Sequence, residues 1–382
     1  MFRSNNWLTV LIALMFISFT FTPALAQSFP PGHPPPLGDL EPVDPADLTP
    51  APADPASTVE IGVDTVVIPT PVSPKNNFVT TRTPKFFFTP VTGASQYHLV
   101  VEDTMATPDA LVYHYYGTGS CTTVVCMMQP ANTLKTLRYE ATKGGIYSWA
   151  VEAMISGAWK GLSVAPQFAV LSSGFTSDFN LNTNKWAPIY GTWTRTDKGY
   201  YKAIGPVGKM TSAMQKEFFM NDYVYEVTLK RKVEADSFNR IIFMGIPKPL
   251  AVDSSWDMGY YFGYYNSGHW GLWRRDGGVL TLLHNNVATP FVIPYGWNKL
   301  TVWTDYPTIH LWINSAYLGY FTDDTHLSGF VGVGMYENYS DLSPLLVDSA
   351  TLYYSATAPY AITDAVLGEP QNHQVEGEGL AE

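Results

Sequence analysis

The sequence predicts an all-β chain built as two successive sandwiches, and three observations carry that prediction. No segment of useful length repeats apolar residues at helical spacing. Short runs rich in Val, Ile, Tyr, Phe and Thr recur instead, each bounded by Gly, Pro, Asn or Ser. Aromatic residues make up 14% of the 382 residues and charged residues another 14%, about half the usual globular share of charge. Hydrophobic residues reach 46%, ample for a buried core, so wholesale disorder is excluded.

Met1–Ala26 reads as a secretory signal peptide. Arg3 supplies the positive end, Trp7–Phe21 an apolar run of 15 residues, and Ala24-Leu25-Ala26 the small-x-small cleavage pattern. The run is too short for a comfortable membrane span, and no later stretch approaches 18 apolar residues, so no other transmembrane segment is expected. Export to an extracellular or periplasmic space is the expected destination. Residues 27–64 form a Pro-rich acidic linker, with ten prolines between 30 and 55 that favour extended polyproline geometry over a packed core.

Residues 65–171 read as a small β-sandwich. Tyr97, Leu99 and Val101 alternate with Gln96, His98 and Val100, the pattern of a half-buried strand. In Tyr147–Ala153, the residues Tyr147, Trp149, Val151 and Ala153 face one way. Cys121 and Cys126 are the two cysteines of the chain, and in an oxidising compartment such a pair forms a local disulfide. A loop that short yields only about 2 kcal/mol, enough to staple a turn.

Residues 172–360 have the size of a larger β-sandwich and hold eight of the eleven Trp and eighteen of the twenty-four Tyr. Strands are expected at Tyr223–Leu229, Arg240–Ile246, Met258–Tyr265, His269–Arg275, Lys299–Thr304, Ile309–Ile313, Phe330–Met335 and Leu346–Tyr354. Residues 361–382 form an acidic tail, expected to be disordered.

Two resemblances follow from these residues. Pro84 to Val101 and then Tyr147 to Phe168 resemble the fibronectin type III-like modules of bacterial surface and secreted proteins, within the immunoglobulin/fibronectin III-like sandwiches. Phe88 stands where Trp is more usual. Such modules are mostly spacers, so this resemblance implies no catalysis. The larger block resembles the concanavalin A-like lectin/glucanase jelly rolls, laminin-G-like domains included. It does so through Phe175-Thr176-Ser177-Asp178-Phe179, Gly191-Thr192-Trp193, Gly296–Val302, Ile309–Asn314, Ser328–Val333 and Val347-Asp348, in that order. Asn314-Ser315 stands where the group has Asn-Gly.

The net charge of −11 makes a nucleic-acid-coating role untenable. The charge belongs to the linker and tail: residues 27–64 hold seven acids and residues 361–382 five, with no Lys or Arg in either. Positions 65–360 carry equal numbers of acidic and basic residues.

The catalytic members of the jelly-roll group place two or three carboxylates on one strand face, where an acid and a nucleophile flank a glycosidic bond. Glu226-Val227-Thr228-Leu229-Lys230 offers one carboxylate. Asp253 and Asp257 are a spaced pair around the turn-like Ser254-Ser255-Trp256. The eight His never form a two-His metal spacing on one element, so no metal site is expected. Asp323-Asp324 could offer carboxylate oxygens to Ca²⁺, although a solvated turn is the plainer reading.

The densest aromatic segment runs from Trp256 to Arg275. A three-residue loop at Asn266-Ser267-Gly268 opposes Tyr265 to His269, Gly263 to Gly271 and Tyr261 to Trp273. Those residues and Arg275 share one face. The other face, carrying Tyr260, Phe262, Tyr264, Trp270, Leu272 and Arg274, is more apolar and is assigned to the core. The first face then has glycines at its middle and a trough rimmed by Tyr261, Tyr265, His269 and Trp273. If Leu300, Val302, Ile309, Leu311 and Ile313 point inward, then Trp303, His310 and Trp312 point outward and extend an exposed aromatic row. Aromatic planes cover the C–H patches of a sugar while His and Arg donate to its hydroxyls. The plainer alternative is that these rings are strand formers and core fillers.

The expected function is that of a secreted non-catalytic binder of glycans or of a surface polymer. Its ligand-binding residues are Tyr261, Tyr265, His269, Trp273, Arg275, Trp303, His310 and Trp312. A structural or adhesive surface protein with a protein partner is the second reading. A glycoside hydrolase using Asp253 and Asp257 is the third.

Overall fold

The computed structural model describes residues 68–232, 237–338, 343–362 and 373–374. The segments read above as signal peptide (1–26) and linker (27–64), and most of the acidic tail (361–382), lie outside the described residues. The chain divides into two compact units, Met1–Leu171 and Ser172–Glu382. Both are built from strands, and among the described residues no helix is long and apolar enough to cross a membrane.

In the first unit two sheets enclose a core. One orders Pro71–Ser73, Phe86–Phe88, Cys126–Met128 and Ser120–Cys121. The other orders Asn77–Val79, Gln167–Val170, Ile146–Ile155, Ala94–Asp103 and Ala110–Gly117. The alternating residues Tyr97, Leu99, Val101, Tyr147, Trp149, Val151 and Ala153 all point into that core. Trp149 packs edge-on against Phe86 at 5.1 Å and donates its indole N–H to the Pro74 carbonyl at 2.6 Å. Cys121 and Cys126 stand directly opposite in a hairpin and are joined by a disulfide.

The second unit is a jelly-roll sandwich. Its front sheet orders Trp186–Tyr190, Met210–Gln215, Ser328–Tyr336, Phe238–Leu250, Trp256–Tyr265, His269–Asp276 and Val279–Ala288. His373–Gln374 of the acidic tail pairs with Thr281 and Leu282 at that edge. The back sheet orders Thr192–Arg195, Tyr201–Ile204, Leu345–Tyr354, Tyr223–Arg231, Asn298–Asp305, Thr308–Ile313 and Ala316–Thr322. Neighbouring strands are often distant in sequence, so the sandwich closes through long-range pairing. Between the sheets lie Tyr225, Val227, Leu229, Leu300, Val302 and Leu311 from the back, and Ile241, Phe243, Tyr260, Phe262 and Val333 from the front. The Asn314-Ser315 turn closes a hairpin with both residues at positive φ, 52° and 68°. Asparagine tolerates that region well, and Asn314 also ties the turn down by donating to the Phe291 carbonyl at 2.8 Å.

Candidate functional site

The aromatic hairpin has the register its alternation predicts: Tyr265 opposes His269, Gly263 opposes Gly271 and Tyr261 opposes Trp273. Tyr260, Phe262, Tyr264, Trp270 and Leu272 enter the core between the sheets. Arg274, on that same face, reaches the margin, where it pairs with Asp323 and donates to Thr325 Oγ1 at 2.7 Å. Tyr261, Tyr265, His269, Trp273 and Arg275 therefore share the outer face of the front sheet.

That face differs from an empty trough in two ways. A Cβ at Gly263 would meet the Asn239 carbonyl and lie 2.9 Å from Arg240 Cα, so glycine is required there by the close approach of the next strand. The space above the glycines is also occupied. A Cβ at Gly271 would lie 3.6 Å from the Trp273 ring, and Trp273 packs on Phe238 with centroids 4.1 Å apart. Tyr261 is not a rim residue: it is 1% exposed and donates its hydroxyl to the Trp256 carbonyl at 2.5 Å. Tyr265, His269 and Trp273 are the half-exposed members.

Sequence reasoning passed over Arg240, which occupies the middle of this face. Its backbone pairs with Gly263 on one side and Gly334 on the other. Its guanidinium carbon lies 4.7 Å from the Phe238 ring centroid, 5.1 Å from Trp273, 5.7 Å from Tyr261 and 5.8 Å from Tyr336. Burial pulls the guanidinium down to about 10, so it remains a cation at neutral pH. The available signal was an Arg at the head of the apolar run Ile241–Ile246. Trp256, which opens the aromatic segment but was not among the expected ligand-binding residues, is wholly buried and donates to Ser212 Oγ at 2.9 Å.

Arg275 is buried and holds Asp253 at 3.0 Å. Burial pushes the Asp253 carboxyl up, but the hydroxyl and amide of Ser255 and the Arg275 charge overcome it and hold it below the usual carboxylate value. Asp323 behaves similarly. Burial raises it, and contacts from Thr325, Tyr260 and Arg274 more than offset that. Its oxygens thus already face four protein donors: the Tyr260 hydroxyl, the Thr325 amide and hydroxyl, and Arg274. Among the described residues no group of three or more His, Cys, Asp or Glu side chains is placed to hold a metal ion.

Trp303, His310 and Trp312 do not join the hairpin residues. They point outward as the alternation requires, but from the back sheet, on the opposite side of the sandwich. They are also not exposed. Residues 355–361 cross over them as a strap: Trp303 donates its indole N–H to the Ser355 carbonyl at 3.0 Å, and Trp312 donates to the Ala361 carbonyl at 3.3 Å. Ala358 and Tyr360 pack on the same cluster. The Tyr360 hydroxyl is engaged by Glu226 and Lys299. The physical reason is direct, since an uncovered row of two Trp and a His is unfavourable in water and the chain supplies its own cover.

No family model matches the chain, and no curated protein matches it. Among solved structures it is similar to a carbohydrate-binding module, CBM66, from Bacillus subtilis, with a TM-score of 0.36 and 13% identity over 44% of this chain and 95% of that chain. A protein of unknown function with a galectin-like fold from Bacillus subtilis gives a TM-score of 0.37 and 12% identity, covering 48% of this chain and 96% of that one. A Bacillus licheniformis beta-glucanase gives 0.37 and 9% identity, covering 48% of this chain and 99% of that one.

Proposed function

We propose that the protein is an exported, non-catalytic glycan-binding protein whose ligand lies on the outer face of the front sheet, across Tyr265, His269 and Trp273. The observation that carries this reading is the state of Trp273. Its ring is half-exposed on a sheet face, yet its indole Nε1 is buried without an acceptor among the described residues. A half-exposed indole plane on a sheet face suits a sugar, which offers C–H patches for it to cover. His269 adds a polar group at the edge, where its Nδ1 lies 3.3 Å from Ser267 Oγ.

A binding role is favoured over a general-acid role for Asp253 by the state of its carboxyl. Asp253 is held as an ion by Arg275 and Ser255, whereas a general acid must keep its proton near neutral pH. In this reading the smaller sandwich is a fibronectin III-like spacer, the Pro-rich segment is a tether, and the leader directs the chain out of the cell.

Affinity electrophoresis through gels containing soluble polysaccharides tests the proposal. Wild-type protein is expected to be retarded by at least one polymer, and Trp273→Ala to run free in that gel while still unfolding cooperatively. Equal retardation of both proteins would remove Trp273 from the site. Free migration of wild type in every gel would end the glycan reading.

A further inference from the structure

Among the described residues the second unit buries three arginines, Arg231, Arg240 and Arg275, and it treats the first two differently. Arg231 donates through Nε to the Ser343 carbonyl at 2.9 Å, through Nη1 to the Tyr336 carbonyl at 3.3 Å, and through Nη2 to the Glu337 carboxylate. Arg240 is 6% exposed, and among the described residues its one hydrogen bond is from Nη1 to the Met210 sulfur at 3.7 Å, a weak acceptor. Its Nε is buried with no acceptor among the described residues. Trp273 Nε1 and Arg275 Nε, on the same face, are likewise without one. The carboxylate of this neighbourhood, Asp253, is bonded to Arg275 and Ser255. Among the described residues the face thus holds two guanidinium cations, one of them paired with Asp253, and three N–H groups buried without an acceptor.

Cation–π contact with four rings stabilises Arg240 but accepts none of its N–H bonds. The cage has a closed floor, the buried Phe238 and Tyr261, and two half-exposed rings, Trp273 and Tyr336, on the solvent side. A planar, fixed fork of donors at the bottom of an aromatic frame matches an oxyanion carried on a ring-shaped ligand.

We propose that Arg240 selects for negatively charged glycans: it receives a carboxylate or sulfate while the sugar ring that bears it lies against Trp273. This rests on the glycan-binding reading and narrows it to acidic saccharides. Arg240 and Trp273 would act together, one on the charge and one on the ring. The chain's net charge of −11 works against indiscriminate attraction to polyanions, so affinity for an acidic polymer would have to arise locally.

Retardation by four polymers provides the test: polygalacturonate, the same polymer after carboxyl reduction, dextran sulfate, and neutral dextran. Wild type is expected to bind polygalacturonate or dextran sulfate about tenfold or more tightly than dextran. The two acidic arms identify carboxylate or sulfate as the source of the charge. If the carboxylate is that source, its reduction should abolish the difference. Arg240→Gln should lose the preference for acid while retaining cooperative thermal unfolding, and Arg240→Lys should keep part of it. A folded Arg240→Gln protein with unchanged affinity for the acidic polymer overturns the inference. Should Arg240→Gln fail to fold, the wild-type comparison of acidic with neutral polymers decides alone. Trp273-dependent binding of neutral and acidic polymers with equal affinity would overturn the charge selection and leave the glycan reading standing. No binding to any polysaccharide class would overturn both.

Discussion

The front and back faces of the larger sandwich carry the same kind of sequence and come to opposite ends. Each presents an outward row of aromatic rings with a histidine among them. On the back face both indole N–H groups find carbonyls, and a strap from the same chain lies over the rings. On the front face the Trp273 N–H finds no partner among the described residues, and a buried arginine beside it has a sulfur for its one acceptor. The rings themselves do not separate a finished surface from one that still has bonding capacity. The hydrogen-bond state of their polar ends does.

Substitutions that treat the two faces alike should therefore give unlike results. The largest effect is expected at Trp312, which is fully buried beneath the strap. Trp312→Ala should cost about 3–5 kcal/mol of stability in urea unfolding, whereas Trp273→Ala, half-exposed, should cost clearly less and act mainly on ligand retention. Equal destabilisation would erase the distinction between the faces. A smaller effect is expected from Tyr360→Phe, which removes the hydroxyl engaged by Glu226 and Lys299. A loss of about 0.5–1.5 kcal/mol is expected, with glycan retention unchanged.

The smallest effect concerns acid. Burial lowers the His310 imidazole below its ordinary value, against a weaker opposing pull from Asp305. A base depressed in the folded state binds its proton more readily when unfolded. Its neutral form thus adds stability above the unfolded value of about 6.5 that is lost as pH falls through it. His310→Gln should flatten the decline in unfolding midpoint between about pH 7 and pH 5 relative to wild type. An unchanged slope would show that His310 does not contribute to it.

Much of the fold was legible because the period of two states which way each side chain points. Leu300, Val302, Ile309, Leu311 and Ile313 point inward, and Trp303, His310 and Trp312 outward, as alternation requires. Alternation is blind to sheet membership. Nothing local tells that Trp256–Asp276 and Asn298–Ile313 lie in different sheets, because that depends on pairing with strands such as Ser328–Tyr336 and Leu345–Tyr354. Cover by residues 355–361 is likewise a long-range fact. Arg240 was hidden for a different reason. The strand Phe238–Leu250 is buried on both faces over most of its length, so its apolar run shows no alternation to set the arginine apart. The glycines misled in a third way, since Gly263 serves close contact between strands as much as space for a ligand.

The strap leaves the sandwich with two scales of opening. Residues 355–361 are tied down by side-chain donors, a hydroxyl and packed rings, while the sheets beneath are joined by full antiparallel ladders. Peeling the strap breaks few bonds and wets two indoles; parting the ladders dissolves the core. The back face is thus positioned to breathe as a local unit well below the threshold of global melting, and a ring row silent in the resting molecule would be its first newly wetted surface under stress.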